Sequence, residues 1–438
     1  MLGTDARKAA VAAGLPLIRR RHVFYVEGYD PRGAEGYHRL FARELSRFAA
    51  TWGVEASLSE LAVDSEDIAH WNVETKGANW QASTRYEFVR FEHVIRAAAR
   101  QPLLRQIPRT LHWMLDDLLS GALLRTVRAA WRFALHLMVL QAPLLAWLVI
   151  TIAAGWAAAV VIERATGAPL PVALLGMVAA WVVLFAALRP LVDRWQLLQV
   201  ANGWPLMRDF ARGRPTGYDR PVEAFAAKLV AAARAGEADE ILIVGHSAGG
   251  LTAPIVATRA LELDPDLGRR GPRVTLITVG SLLPAFALHP AATRMRAAVR
   301  RLALEPAVRW VDCQARKDIM NFWDFDPVAG VGVEVGAARV NPIIWPVRLR
   351  DMLTDAAYDR LRVSQFRMHY QYVMANDRRA PYDYFLLVCG PVPVTAWATQ
   401  PDTIVKSFGA RAAYDVLEQA KPGSASDRDV PASASPLR

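Results

Sequence analysis

Glu240-Ile241-Leu242-Ile243-Val244-Gly245-His246-Ser247-Ala248-Gly249-Gly250-Leu251-Thr252-Ala253 is the stretch that decides how this chain is read. Consecutive apolar residues ending at Val244 mark a strand buried on both faces. The segment after Gly250 predicts a helix, so Ser247 stands at the centre of a strand–turn–helix with the spacing G-x-S-x-G. A chain that reverses this sharply takes a strained backbone at its centre, and its neighbours must be small for helix and strand to pack. Gly245 and Gly249 supply that room, with His246 and Ala248 between them. The serine is then exposed above the sheet edge at a helix N-terminus, where aligned peptide dipoles favour negative charge. The Ala248 N–H is left to point at a developing oxyanion.

Outward from this turn, apolar runs at His22–Val26, Val274–Val279, Val308–Val311 and Tyr384–Val388 read as further buried strands. Weaker strand candidates are Ala56–Leu61, Ile68–Val73 and Tyr86–Phe91. Tyr37–Trp52 has helical spacing, with Leu40, Phe41, Leu45 and Phe48 on one face and Arg and Glu on the other. Pro221–Ala235 is a second amphipathic helix with proline at its start. Strands alternating with helices predict an α/β fold with a mostly parallel, doubly wound sheet covered on both faces.

Two apolar runs interrupt this pattern. Phe133–Ile162 has 30 residues without Asp, Glu, Lys or Arg, and Ala165–Leu188 has 24. About 20 apolar helical residues cross a hydrocarbon core of roughly 30 Å, so each run is long enough to span a bilayer. Two adjacent runs of this length are hard to bury around one soluble core. The connection from Glu163 to Pro169 suits a tight turn, and Trp131 and Trp195 flank the pair where interfacial anchors are expected. His136, Gln141 and Pro143 move the effective start of the first span to near Leu140.

Of 52 basic residues six are Lys, and the net charge is +10. Arg96, Arg100, Arg105, Arg109, Arg125, Arg128 and Arg132 precede the pair; Arg189, Arg194, Arg208, Arg212 and Arg214 follow it; the turn holds Arg164 alone. This bias places both flanks in the cytoplasm and the turn outside. The expected organisation is an N-terminal extension (1–21), the first part of the α/β domain with an amphipathic approach segment (22–132), a transmembrane hairpin (133–190), the second part of the α/β domain (191–420) and a disordered tail (421–438).

Composition excludes other classes. With 53% apolar and 21% charged residues the chain is not a disordered one. Cys313 and Cys389 cannot make a disulfide framework and lack zinc-site spacing, which fits a reducing compartment. The apolar stretch Ala9–Ile18 precedes the basic cluster Arg19–Arg21, the reverse of a secretory signal. Neither a phosphate-binding or dinucleotide loop nor a nucleic-acid signature is present, so no cofactor, metal or nucleic-acid partner is expected.

The strand–turn–helix around Gly245–Gly249 resembles the α/β-hydrolase superfamily, specifically its lipase- and esterase-like serine hydrolases, over residues of about 20–100 and 220–395. That resemblance implies Ser247 as nucleophile, followed in chain order by an acid and a histidine. His289 and His369 are the histidines beyond the motif; His369 lies late, where the family places its base, and is preferred. Asp318 is preferred as the acid, ahead of Asp312, Asp324 and Asp326. The second oxyanion donor is expected after the early strand, at the N–H of Tyr29. There the family's usual His-Gly is replaced by Glu27-Gly28, which puts in doubt whatever role that histidine plays. The implied activity is hydrolysis of a carboxylic ester, lipid-like or small, through an acyl-enzyme. A catalytically silent scaffold and an acyltransferase or thioesterase with the same triad are the alternatives. The implied partners are the bilayer and the ester, and the implied location is a bacterial inner membrane, crossed twice, with the hydrolase domain cytoplasmic.

Overall fold

The computed structural model describes residues 17–415 apart from Pro31, Ala168, Trp195 and Gln196. Trp195, one of the two expected anchors, and the tail from Lys421 lie outside the described residues. Nine strands form one mixed sheet: β1 (Arg20–Val26), β2 (Glu55–Leu58), β3 (Ala62–Val63), β4 (Ile68–Lys76), β5 (Gln81–Val89), β6 (Glu240–His246), β7 (Arg273–Val279), β8 (Val308–Gln314) and β9 (Ile343–Pro346). Their order is β2-β4-β5-β1-β6-β7-β8-β9, with β3 paired to β4. From β5 to β9 all ladders are parallel; β4 pairs antiparallel with β2, β3 and β5.

The chain leaves β1 towards β5 and leaves β6 towards β7, on opposite sides. The point where the winding reverses therefore lies between β1 and β6, and the crevice at their carboxyl ends is where open α/β sheets take ligands. Alternate residues of these strands feed two cores. Phe24, Val26, Ile241 and Ile243 enter one, and Val23, Tyr25, Leu242 and Val244 the other. Helix α1 (Gly33–Trp52) covers the second core with Tyr37, Phe41, Leu45, Phe48 and Trp52. Four further helices connect β5 to β6 after Glu92–Ala99: α2 (Leu103–Leu119), α3 (Ala122–Thr166), α4 (Leu170–Arg194) and α5 (Leu197–Ala211), followed by α6 (Asp219–Ala235). Helix α6 and α7 (Gly249–Leu263) cover the first core through residues such as Phe225 and Leu251.

Helices α3 and α4 pack as an antiparallel pair. Trp147 stacks on Phe185 at 4.1 Å, Gly155 faces Met177 and Trp181, and Gly176 faces Ile162. The backbone of α3 leaves helical geometry at Ala130 (φ −153°, ψ 73°), just before the charge-free run begins. Among the described residues α3 is the one helix long and apolar enough to cross a membrane, and α4 contributes the shorter apolar stretch Leu174–Ala187. The outer surface of the pair is apolar and uncovered: Val149, Trp156 and Val161 on α3 and Leu175 and Val183 on α4 are each at least 64% exposed.

Two elements differ from the sequence expectation. Tyr384–Val388 is not a strand but most of the helix Tyr384–Cys389. Asp383 caps it by accepting the Leu386 N–H at 3.1 Å, and all six residues are buried, so the run has no period to tell helix from strand. The last strand is instead β9, an edge strand flanked by Pro342 and ending at Pro346. Prolines are tolerated at such an edge and hide it from propensity.

Candidate active site

Strand β6 ends at His246 and α7 begins at Gly249, so the chain reverses through Ser247 and Ala248 alone. Ser247 takes φ +59°, a left-handed conformation that costs a non-glycine residue roughly 1–2 kcal/mol. The surroundings hold it there. Its N–H donates to the Val279 carbonyl at 3.1 Å, and its own carbonyl accepts the Gly250 and Leu282 N–H groups at 3.0 and 3.1 Å. A side chain at Gly249 would strike the carbonyl oxygens of Val26 and Glu27, and one at Gly245 would strike Gly249 and Ala253. Helix and strands close on both positions, so only glycine fits. Ser247 itself remains half-buried while the residues on either side of it are buried.

Asp318 lies in the loop beyond β8, and His369 lies on the short helix α8 (Gln365–Tyr370). His369 Nδ1 is 2.7 Å from Asp318 Oδ2, and both side chains are essentially inaccessible to solvent. A carboxylate can only accept, so in the neutral imidazole Nδ1 carries the proton and Nε2 presents a lone pair. That Nε2 is buried and has no hydrogen-bond partner among the described residues. The second Asp318 oxygen accepts the Met320 N–H at 2.9 Å, which fixes the carboxylate plane. The imidazole is carried to the elbow by two contacts. It stacks on His246 with ring centroids 5.0 Å apart, and it rests on Gly280, the residue after the carbonyl that binds Ser247. His246 donates from Nε2 to the His369 carbonyl at 3.3 Å, and burial, followed by the neighbouring His369, pushes its pKa down to about 3. It is therefore a neutral packing residue at physiological pH.

The loop after β1 comes against the elbow directly: a side chain on Gly28 would meet Ser247 Cβ at 3.1 Å and Oγ at 3.5 Å. Among the described residues neither the Tyr29 nor the Ala248 N–H donates to another group. Glu27 is buried, and burial, followed by the nearby Asp30 charge, raises its pKa well above the ordinary carboxyl range. Burial thus disfavours a negative charge on Glu27 at this turn. Asp30 ties this loop to α8, accepting the Tyr370 hydroxyl at 2.9 Å and the Arg32 Nε at 2.8 Å.

Of the rival residues, three are engaged elsewhere and the fourth, Asp324, is exposed. His289 is held by Arg212 and Asp116, and burial, followed by Arg212, lowers its pKa to about 4. Asp312 accepts from Thr278 and, at 2.8 Å, from Gln314; burial raises its pKa to about 6. Asp326 pairs with Arg339. Asp324 takes φ +55° on the exposed loop.

Three further contributors belong to no motif in the sequence. Gly280 makes space for the imidazole, Tyr370 links α8 to Asp30, and His136 on α3 lies within electrostatic reach of Asp318 and His369. A glycine directly after the apolar run Val274–Val279 was the available signal for the first. The foot of α3 therefore roofs the Asp318–His369 pair, and Phe133 packs on Phe322, 5.0 Å between centroids, four residues past Asp318.

One group of metal-type ligands occurs among the described residues, Asp64, His70 and Glu87. Lys228 pairs with both of its carboxylates, so an ammonium already sits where a cation would. Comparisons of the chain with protein-family models, curated proteins and solved structures gave no match.

Proposed function

We propose that this chain is a membrane-anchored serine hydrolase of the α/β-hydrolase type that cleaves a carboxylic ester through an acyl-enzyme. The observation that carries the proposal is the buried His369, its Nδ1 on Asp318 and its Nε2 unpaired, next to a serine held at positive φ. Ser247 Oγ attacks the ester carbonyl while His369 Nε2 takes its proton, and Asp318 stabilises the imidazolium. The N–H groups of Ala248 and Tyr29 receive the oxyanion, each worth about 3–4 kcal/mol in related chemistry. Collapse of the tetrahedral adduct expels the alcohol, which takes the proton from Nε2, and water then releases the acid by the same steps. Ser247 Oγ and His369 Nε2 are not hydrogen-bonded in the unliganded site; such contacts commonly tighten only when substrate binds.

The uncovered apolar surface of α3 and α4 supports insertion into a bilayer, since patches of this extent are not left in water. The charge-free part of α4, Leu170 to Leu188, rises about 28 Å, enough to accompany α3 across. The arginine bias puts the sheet on the cytoplasmic side of a bacterial inner membrane, and the roof formed by α3 makes lipid-like esters the natural substrates. Full-length protein in detergent should hydrolyse p-nitrophenyl esters, long-chain ones better than acetate, and Ser247→Ala should lose at least about 10⁴-fold in kcat. Equal turnover by the Ser247→Ala protein would refute the proposal.

A further inference from the structure

The arginines around the foot of α3 are not alike. Arg109, Arg208 and Arg212 pair with Asp116 or Asp209. Arg125, Arg128 and Arg296 line an open cleft of about 640 Å³ and, among the described residues, have no carboxylate partner. Two of the three are fixed in place. Arg125 Nη1 donates to the Leu288 carbonyl at 3.3 Å, and Arg296 Nη1 donates to those of Ala287 and His289 at 3.0 and 2.6 Å. Arg296 also donates to the Pro290 carbonyl, so two guanidinium groups are anchored on the segment Ala287–Pro290, whose carbonyls orient them without neutralising them. Burial, and after it the neighbouring Arg125 charge, lower the Arg296 pKa. Arg128, about one turn along α3 from Arg125, is exposed. The remaining lining is apolar and includes Leu288, Phe325 and Val331.

We infer that this cleft binds the phosphate of an anionic phospholipid headgroup from the leaflet at the foot of α3. The inference rests on the membrane reading above. Guanidinium forks match phosphate oxygens in pairs, and a bound anion would offset the repulsion that the protein leaves uncompensated. Arg128 stands ahead of Phe133, where the charge-free run begins. Trp131, between them, is 63% exposed, as suits an indole at the lipid interface. Basic pockets beside spanning helices on the cytoplasmic side are suited to anionic headgroups. The apolar wall favours a lipid over free phosphate, since Phe325 and Val331 would face the glycerol and upper acyl chains, and α3 continues apolar and exposed through Leu135 and Met138.

The test is native mass spectrometry of the full chain in detergent, titrated with phosphatidylglycerol, phosphatidylcholine or inorganic phosphate. Phosphatidylglycerol should bind one molecule at least about tenfold tighter than phosphatidylcholine, and millimolar phosphate should not displace it. Arg125→Gln/Arg128→Gln should weaken phosphatidylglycerol roughly thirtyfold, from the contribution of two surface cations, and leave phosphatidylcholine unchanged. Arg128→Glu, at an exposed position with no partner to lose, should do the same if the double variant folds poorly. Equal binding of the two lipids, or unchanged selectivity in the variants, overturns the inference. Displacement of the lipid by phosphate also overturns it and assigns the cleft to a free anion. Failure of the membrane reading shows separately, as release of the wild-type protein from membranes by carbonate.

Discussion

The site depends on single atoms at Gly280. Its φ is +54°, and a methyl group there would lie 2.9 Å from His369 Cε1 and from Tyr372. Gly280→Ala should displace the imidazole and lower kcat by on the order of 10²-fold, as expected for a shift of about 1 Å. Gly236→Ala is the control, because Gly236 has the same left-handed backbone (φ +66°) with nothing within 4 Å. It should lose stability in a thermal melt and keep its turnover; equal losses of turnover would mean that strain, not crowding of His369, is responsible. The carboxylates give a second test. Asp318→Asn removes the partner that fixes the His369 tautomer and should cost about 10⁴-fold in kcat. Asp312→Asn and Asp326→Asn, whose side chains face Thr278 and Arg339, should each cost less than about tenfold. Ester kinetics rank the three, and a larger loss at Asp312 or Asp326 moves the acid.

At the scale of elements, what the sequence could reveal followed burial. Strand β6 is central and covered on both faces, so Ile241–Val244 appears as an unbroken apolar run. Strand β7 is interrupted by Thr275 and Thr278 and β8 by Arg309, and β8 runs on past Val311 through Asp312 to Gln314. The helix Tyr384–Cys389 is buried on all sides, which removes the polar face that would have shown its period. Only its Asp383 cap distinguished it, and β9 was hidden by its prolines. Helices α3 and α4 announce themselves by absence of charge, and the proposed insertion of the pair into a membrane can be tested directly. Cys313 and Cys389 are both buried, so single cysteines can be added to the natural chain. Ala165, near the end of α3, and Pro215, between α5 and α6, are exposed. A membrane-impermeant maleimide applied to intact cells should modify Ala165→Cys and spare Pro215→Cys. Modification at Pro215→Cys would reverse the topology or abolish it.

Across the whole molecule, the elbow was legible because everything it needs is local: five residues, a strand before and a helix after. The partners of Ser247 were not fixed so firmly. Chain order narrows them to a few aspartates and histidines, but the pairing of Asp318 with His369 joins residues 51 apart, and the Asp30–Tyr370 link joins residues 340 apart. No local pattern encodes such contacts; they exist because β1, β6 and β8 end at one edge of the sheet and α8 closes over it. The roof supplied by α3 was hidden for the same reason, since His136 reads in sequence only as a polar residue in an apolar run. The most direct test of the central claim is reaction of the membrane-bound protein with a fluorophosphonate, followed by intact mass and peptide mapping. One phosphonyl group on the peptide containing Ser247, absent from Ser247→Ala and slowed in His369→Ala, is the expected result. No adduct on the folded wild-type protein, or the same adduct on Ser247→Ala, would contradict it.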